Sequence, residues 1–367
     1  MNLFSDSIIQ DKIRLFFTES LKRRHLAHAY LFYGSEGCGK EAFALEWAKA
    51  LTCLSENTKP CNQCTHCLRI NHLNHPDVQY IFPLSKQTKT EEIAAIIKAK
   101  AANPYRNLDI KGHKNIPIEK IRDLKNEAKY APFEAPKRFF IISEAEYLSR
   151  EAANSFLKLL EEPPQSLMII LITHDLRALP DTIRSRCQLV YFPPFTAEQI
   201  ESIVQRYHVA DTNLRSIIRI AQNNVKKVFE LLETDAQETR TAVHQYLQYT
   251  AANDMLALTE QIDALTQKKD KNHIINFLQM LLMWLRDAFH YTILNDHDDF
   301  INLDFIVPIE KFADYFKHAD FQRMIILVEE ATRAIEQNAH PALTLTSLAF
   351  NLNEILMKSR PVLREAL

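Results

Sequence analysis

Residues 29–41 read Ala29-Tyr30-Leu31-Phe32-Tyr33-Gly34-Ser35-Glu36-Gly37-Cys38-Gly39-Lys40-Glu41. An apolar, aromatic run of strand length meets a glycine-rich turn, and a helical pattern follows over 42–51. This is GxxxxGK between strand and helix, the setting in which backbone N–H groups wrap phosphate oxygens and the lysine pairs with them. The chain has only 4 glycines in 367 residues, and Gly34, Gly37 and Gly39 are three of them. Average usage would give roughly 26. A sequence that otherwise avoids the most flexible residue reads as rich in helix, and it keeps glycine where backbone must approach something closely. The next position breaks the pattern. After the lysine the motif takes Ser or Thr, whose hydroxyl holds the Mg²⁺ bridging the β- and γ-phosphates, and here Glu41 stands instead. Phosphate binding and a turn kept only as a tight connection are both open for this loop. Hydrolysis is not expected of it.

Outward from this stretch, similar apolar runs recur at 78–82, 139–142, 167–172 and 188–192. They lack polar alternation, as the strands of a parallel sheet do when helices cover both faces. Residues 1–194 are therefore expected to form an α/β P-loop domain around a five-stranded parallel sheet, closed by Pro193 and Pro194. Beyond it only the 3.6-residue period persists, which predicts a small helical bundle over 195–240 and an all-α domain over 241–367. Within the latter, amphipathic segments run over 242–265, 272–292, 308–337 and 340–359. Residues 83–137 interrupt the α/β pattern and hold twelve Lys or Arg against seven Asp or Glu. A solvated insertion accounts for such a surplus better than a nucleic-acid arm does.

The run 139–142 supplies an independent check on the loop. A hydrolysing P-loop protein ends this strand in an Asp that helps hold Mg²⁺ and a Glu that positions water. Here the pair is Ser143 and Glu144. The water-positioning place is kept, but both protein anchors for magnesium, at 41 and 143, are missing together.

Cys53, Cys61, Cys64 and Cys67 place four thiols within fifteen positions. Four thiolates satisfy tetrahedral Zn²⁺ and leave no open position, so a structural zinc knuckle over 53–67 is expected rather than a catalytic metal. Free thiols, a variant with His66 as a ligand, and an iron–sulfur cluster are the alternatives. Cys38 and Cys187 lie outside the cluster and read as packing residues. Disulfides are not expected, because no signal-peptide core precedes the domain and the cytosol keeps thiols reduced. No apolar run is long enough to span a bilayer, so a cytoplasmic protein with no membrane partner is expected. Lys plus Arg is 44 and Asp plus Glu is 46, which argues against a chain that coats nucleic acid unaided. A zinc-bearing DNA-binding module is the reading this balance disfavours most.

After 167–172 come Thr173-His174-Asp175 and then Pro180-Asp181-Thr182-Ile183-Arg184-Ser185-Arg186-Cys187. Pro180 suits the first turn of a short helix that carries Arg184 and Arg186 at its far end. Five elements now stand together: His28-Ala29-Tyr30-Leu31-Phe32 before the loop, the four cysteines, His75-Pro76-Asp77, the run from Ala153 to Leu160-Glu161-Glu162-Pro163-Pro164, and Ser185-Arg186-Cys187. As an ensemble spanning 28–187, they resemble the AAA+ subunits of the bacterial DNA polymerase III clamp loader, and among these the delta prime kind.

The resemblance implies an AAA+ module followed by a helical lid (195–240) and a collar for oligomerisation (241–367). It implies assembly with gamma/tau and delta subunits into a ring that loads the sliding clamp on primer–template DNA. Arg186 would reach the neighbouring motor subunit's ATP site in trans, as a permanently charged fork against γ-phosphate oxygens. The degenerate nucleotide site would comprise Gly34, Gly37, Gly39, Lys40, Glu41, Ser143, Glu144 and the polar sensor Thr173, with Lys226 where motor subunits carry a lid arginine. Glu41 and Ser143 depart from the motor pattern, while the knuckle and the arginine motif depart from the delta pattern. A non-hydrolysing subunit is therefore expected; an ATP-hydrolysing gamma/tau-like motor subunit is the alternative.

Overall fold

The computed structural model describes residues 2–23, 25–85, 87–108, 110, 112–207, 214–233, 236–267, 271–296, 300–302 and 305–359. Five strands, β1 (Ala29–Tyr33), β2 (Val78–Ile81), β3 (Arg138–Ile142), β4 (Leu167–Thr173) and β5 (Gln188–Tyr191), form one sheet. Their order is β2-β3-β4-β1-β5 and every pairing is parallel. This is the expected five-stranded parallel α/β architecture.

Side chains alternate across a pleat, so each central strand feeds two cores. Phe139 and Ile141 join Tyr30, Phe32, Met168 and Ile170 against residues of helices Asp11–Lys22 and Lys40–Thr52. Phe140 and Ile142 join Leu31, Ile169 and Leu171 against helices Ile118–Glu127 and Arg150–Glu161. The central strands β1, β3 and β4 are apolar without alternation because neither face meets water, whereas the edge strand β5 leaves Gln188, Leu189 and Tyr191 exposed. On the first face, Phe17 stacks within 4.6 Å of Trp47 and 4.8 Å of Phe43, ring centre to ring centre.

Strand β2 is tied down at its start by Asp77, which is fully buried. Its carboxylate accepts from the backbone N–H groups of Phe133 (2.6 Å), Glu134 (2.8 Å) and Ala135 (2.9 Å), and the Arg138 guanidinium lies 3.6 Å away. Burial alone would raise this carboxyl, but the three N–H groups and Arg138 hold it below its ordinary value. Substituting Asp77 with Ala strands three donors and a guanidinium, and should cost roughly 3–5 kcal/mol. A urea titration reads the loss directly. Because the folded pKa is the lower one, this contribution is complete above about 3.8 and disappears as the pH falls through the depressed value. The Ala variant should therefore lose the corresponding part of the acid dependence.

Residues 83–137 correct the expectation of a solvated insertion. Ile116, Ile121 and Leu124 belong to the second core, and Lys100, in helix Thr90–Ala102, is among the most buried side chains of the chain. A lysine tolerates that only with a counterion, which Glu41 supplies.

The chain divides into two compact units, Met1–Thr212 with Ala221–Glu230, and Asn213–Ile220 with Leu231–Leu367. The second is all-helical, with Tyr246, Phe277, Leu281, Leu285, Val328 and Leu352 in its interior and the Tyr246 hydroxyl donating to the Leu345 carbonyl at 2.7 Å. Two of its expected segments are each a pair of helices. Helices Ala236–Ala252 and Met255–Gln267 break at Asn253 (φ 58°), and Asp254 accepts from the N–H of Ala257 at 3.2 Å. Helices Ile306–Tyr315 and Phe321–Glu336 break before Asp320, which accepts from the N–H of Arg323 at 2.9 Å. A left-handed Asn and acidic N-caps stop a helix without stopping its apolar period.

Candidate functional site

The loop after β1, Ser143 and Glu144 after β3, and Thr173 at the end of β4 lie at the carboxyl edge of the sheet, where open α/β folds bind ligands. Gly37, Gly39, Lys40, Glu41, Glu144, Thr173 and Lys226 line one cavity there, together with Pro104, Tyr105, Glu146 and His174. The space between these side chains is about 400 Å³ including its opening to solvent.

The side chains around the loop are largely paired with one another. Lys40 is buried, and its ammonium turns back on its own loop to donate to the carbonyls of Gly34 (2.7 Å) and Ser35 (2.6 Å) and to the Cys38 sulfur (3.4 Å). All three protons are then engaged within the chain. Gly37 and Gly39 keep positive φ, 68° and 81°. What approaches them so closely is protein: a Cβ on Gly37 would overlap the Asn224 side chain, and one on Gly39 would come within 2.5 Å of the Phe195 ring. The Val225 N–H also donates to the Gly37 carbonyl at 3.2 Å.

Glu41 is buried at the start of helix Lys40–Thr52. It accepts from the Tyr80 hydroxyl at 2.9 Å, pairs with the Lys226 ammonium at 3.0 Å, and makes a close ion pair with Lys100. Burial would raise its carboxyl, but the two ammonium groups hold it well below the usual carboxylate range. Lys226, which burial would lower, is instead pushed well up by Glu41 and Glu36. Glu144 sits at a left-handed backbone position (φ 49°) with its carboxylate 3.0 Å from the Lys114 ammonium. Thr173 spends its hydroxyl on its own turn, donating to the Asp175 carbonyl and accepting from the Asp175 N–H, each at 3.0 Å. His174 is raised by the Glu146 carboxylate 2.5 Å away.

Two lysines of 83–137, Lys100 and Lys114, thus meet the two acids of the loop and of β3. Neither stood out in the sequence, because each pairing joins positions far apart in the chain. Glu41 was the available signal, since an acid inside a buried phosphate loop requires a cation.

Arg186 does not line this cavity. It lies just beyond helix Asp181–Arg184, half-buried, donating to the Thr182 carbonyl at 2.8 Å and pairing with Glu161 at 2.7 Å. Arg184 pairs with Asp181.

The four sulfur atoms of Cys53, Cys61, Cys64 and Cys67 all lie within 4.8 Å of one another. A tetrahedron with bonds of about 2.3 Å has edges of about 3.8 Å, so the cluster fits a four-thiolate metal such as zinc. The Cys61 N–H points at the Cys53 sulfur (3.4 Å) and the Cys64 N–H at the Cys61 sulfur (3.3 Å), as befits thiolates. Burial alone would raise Cys61, but the N–H groups of Gln63 and Cys64 bring it down to about 6. His66 is turned to another partner. Its Nδ1 lies 2.7 Å from Nε2 of His75, whose own Nδ1 accepts from the Asp77 N–H at 3.0 Å. That network places the His75 proton on Nε2, donated to His66, so His75 has no lone pair free to join Glu134 around a metal.

The fold and this edge define an α/β protein with a five-stranded parallel sheet and a GxxxxGK loop at its carboxyl edge, in which Glu41 and Ser143 stand at the two positions singled out in the sequence. A family model described as DNA polymerase III, delta subunit, matches residues 9–196, just over half of the chain, and the chain belongs to that family. It is similar to DNA polymerase III subunit delta' of Bacillus subtilis, 29% identical over 350 residues, covering 94% of this chain and 97% of that protein. It is also similar to subunit tau of B. subtilis, 30% identical over 237 residues, covering 63% of this chain but 37% of tau. The chain thus spans a little over a third of that tau subunit. A solved gamma subunit-related protein from Thermotoga maritima superposes with a TM-score of 0.48 at 15% identity, over 92% of this chain and 99% of that one.

Proposed function

We propose that this DNA polymerase III subunit is a non-hydrolysing member of the clamp loader, assembling with gamma/tau and delta subunits to place the sliding clamp on primed DNA in the cytoplasm. One observation carries the reading: Glu41, at the loop position where a Ser or Thr would hold magnesium, is buried in ion pairs with Lys100 and Lys226, while Arg186 lies outside that cavity. End-to-end coverage of the delta' relative supports the same choice over a motor subunit. In this reading residues 195–240 act as the lid, 241–367 as the collar, and zinc fills the four-cysteine cluster. Arg186 serves the neighbouring subunit's ATP.

Purified chain incubated with Mg²⁺ and ATP should release no phosphate above background, whereas clamp loading by a reconstituted ring should require its presence. The intact GxxxxGK and the retained Glu144 favour the gamma/tau-like motor as second reading. Turnover by the lone chain that vanishes on Lys40→Ala would establish it. No described helix is long and apolar enough to cross a membrane.

A further inference from the structure

We propose that Glu41 is a built-in ligand of its own phosphate loop, a tethered anion that replaces a bound phosphate and clips three segments of the chain together. The inference deepens the non-hydrolysing reading and rests on it only in taking the loop to be free of catalytic duty. Three ammonium groups converge here from three places. Lys40 comes from the loop itself, Lys100 from helix Thr90–Ala102, and Lys226 from the 221–230 segment, two residues past Asn224, which covers Gly37. Both carboxylate oxygens of Glu41 are used, one on Lys100 and Tyr80, the other on Lys226.

Charge explains the arrangement. Lys40 and Lys100 are buried and Lys226 is largely covered; Lys226 repels each of the other two, and burial alone pulls Lys40 and Lys100 toward neutrality. In a P-loop nucleotide protein, phosphate oxygens neutralise such a cluster, and the lid closes over them. Here a side chain carries the anion, and Asn224 and Val225 of the 221–230 segment meet the Gly37 turn directly. The Lys114 pairing with Glu144 repeats the device at the end of β3, again from residues 83–137. Two lysines of that segment thus neutralise acids at this edge of the sheet, while Pro104 and Tyr105 line the cavity.

The test removes the tethered anion and offers a free one. Full-length Glu41→Ser keeps the hydroxyl of the ordinary motif and leaves Lys100 and Lys226 without their partner. Its melting temperature should fall below that of the native chain. Pyrophosphate or ATP, added without Mg²⁺, should restore most of the loss in a saturable way, since a ligand that binds only the folded state stabilises it by mass action. The native chain should show no shift with the same anions. Adding Lys226→Met to Glu41→Ser should abolish the restoration. If Glu41→Ser does not fold, Lys226→Met alone provides the reading, as faster hydrogen exchange confined to 221–230 with the sheet still protected. An anion-induced shift in the native chain equal to that in the variant overturns the proposal. So does a Glu41→Ser chain that melts like the native one and ignores anions, or, in the fallback, unchanged exchange over 221–230. All of these measurements use the isolated chain, so they stand or fall independently of what Arg186 does in the ring.

Discussion

Replacing Arg186 with alanine is expected to slow ATP hydrolysis at the motor site it faces by roughly 10³- to 10⁵-fold, the usual worth of an arginine finger. Assembly of the ring should survive. A guanidinium at γ-phosphate stabilises charge that spreads over the oxygens only as the bond breaks, so its removal lowers turnover with little effect on nucleotide affinity. The effect belongs to one site, so it is read most clearly in a ring whose other motor sites carry substituted P-loop lysines. Lysine at position 186 keeps the charge but not the planar fork, and should recover only a small part of the rate. Unchanged single-site turnover in the alanine ring would show that this side chain does not act there.

The geometry adds a condition to that role. Arg186 is held by Glu161 at 2.7 Å and by the Thr182 carbonyl at 2.8 Å. The Arg186 and Glu161 side chains are 35% and 46% exposed, so the ion pair is worth little in water, on the order of 0–1 kcal/mol. A weak partner orients the fork without retaining it, and phosphate oxygens can take the guanidinium over at small expense. Substituting Glu161 with Gln should therefore leave single-site turnover within a few-fold of the native ring.

Much of this was legible in the sequence because it is written locally. The five apolar runs name the strands, and the glycine-rich GSEGCGK stretch leads from β1 into helix Lys40–Thr52 as its spacing predicts. The four cysteines span fifteen positions and announce their cluster by spacing alone. What stayed hidden is written across the fold. Nothing near Lys100 in an alanine-rich helix distinguishes it from a solvated lysine, and its burial follows only once Glu41 faces it across the folded domain. Gly37 and Gly39 illustrate the same limit from the other side. Their retention suggested phosphate, whereas Asn224 and Phe195 are what crowd them. The breaks at Asn253 and before Asp320 were carried by single capping residues inside an unbroken apolar period, and period outweighed punctuation.

Metal at the cysteine cluster should be equally decisive to remove. One zinc per chain is expected by elemental analysis of the purified protein. Structural four-ligand sites gain on the order of 10–16 kcal/mol on metal binding near neutral pH, which places dissociation in the nanomolar range or below. The cluster links two helices that also meet in the first core, where Ile70 packs with Phe43 and Trp47: Cys53 follows helix Lys40–Thr52 directly, whereas Cys64 and Cys67 begin and lie within helix Thr65–Asn71. Cys64→Ser removes a first ligand and should weaken affinity by more than the roughly 10- to 100-fold that losing an outer partner gives. Chelation or Cys64→Ser should lower the melting temperature while leaving most of the helical circular dichroism, because the Phe17, Phe43 and Trp47 core against the sheet owes nothing to the metal. Acid should release the ion, since the thiolates must take up protons as it leaves. A metal-free chain with four freely titrating thiols and the melting temperature of the native protein would remove the knuckle from the account, and a brown protein would replace zinc with an iron–sulfur cluster on the same four sulfur atoms.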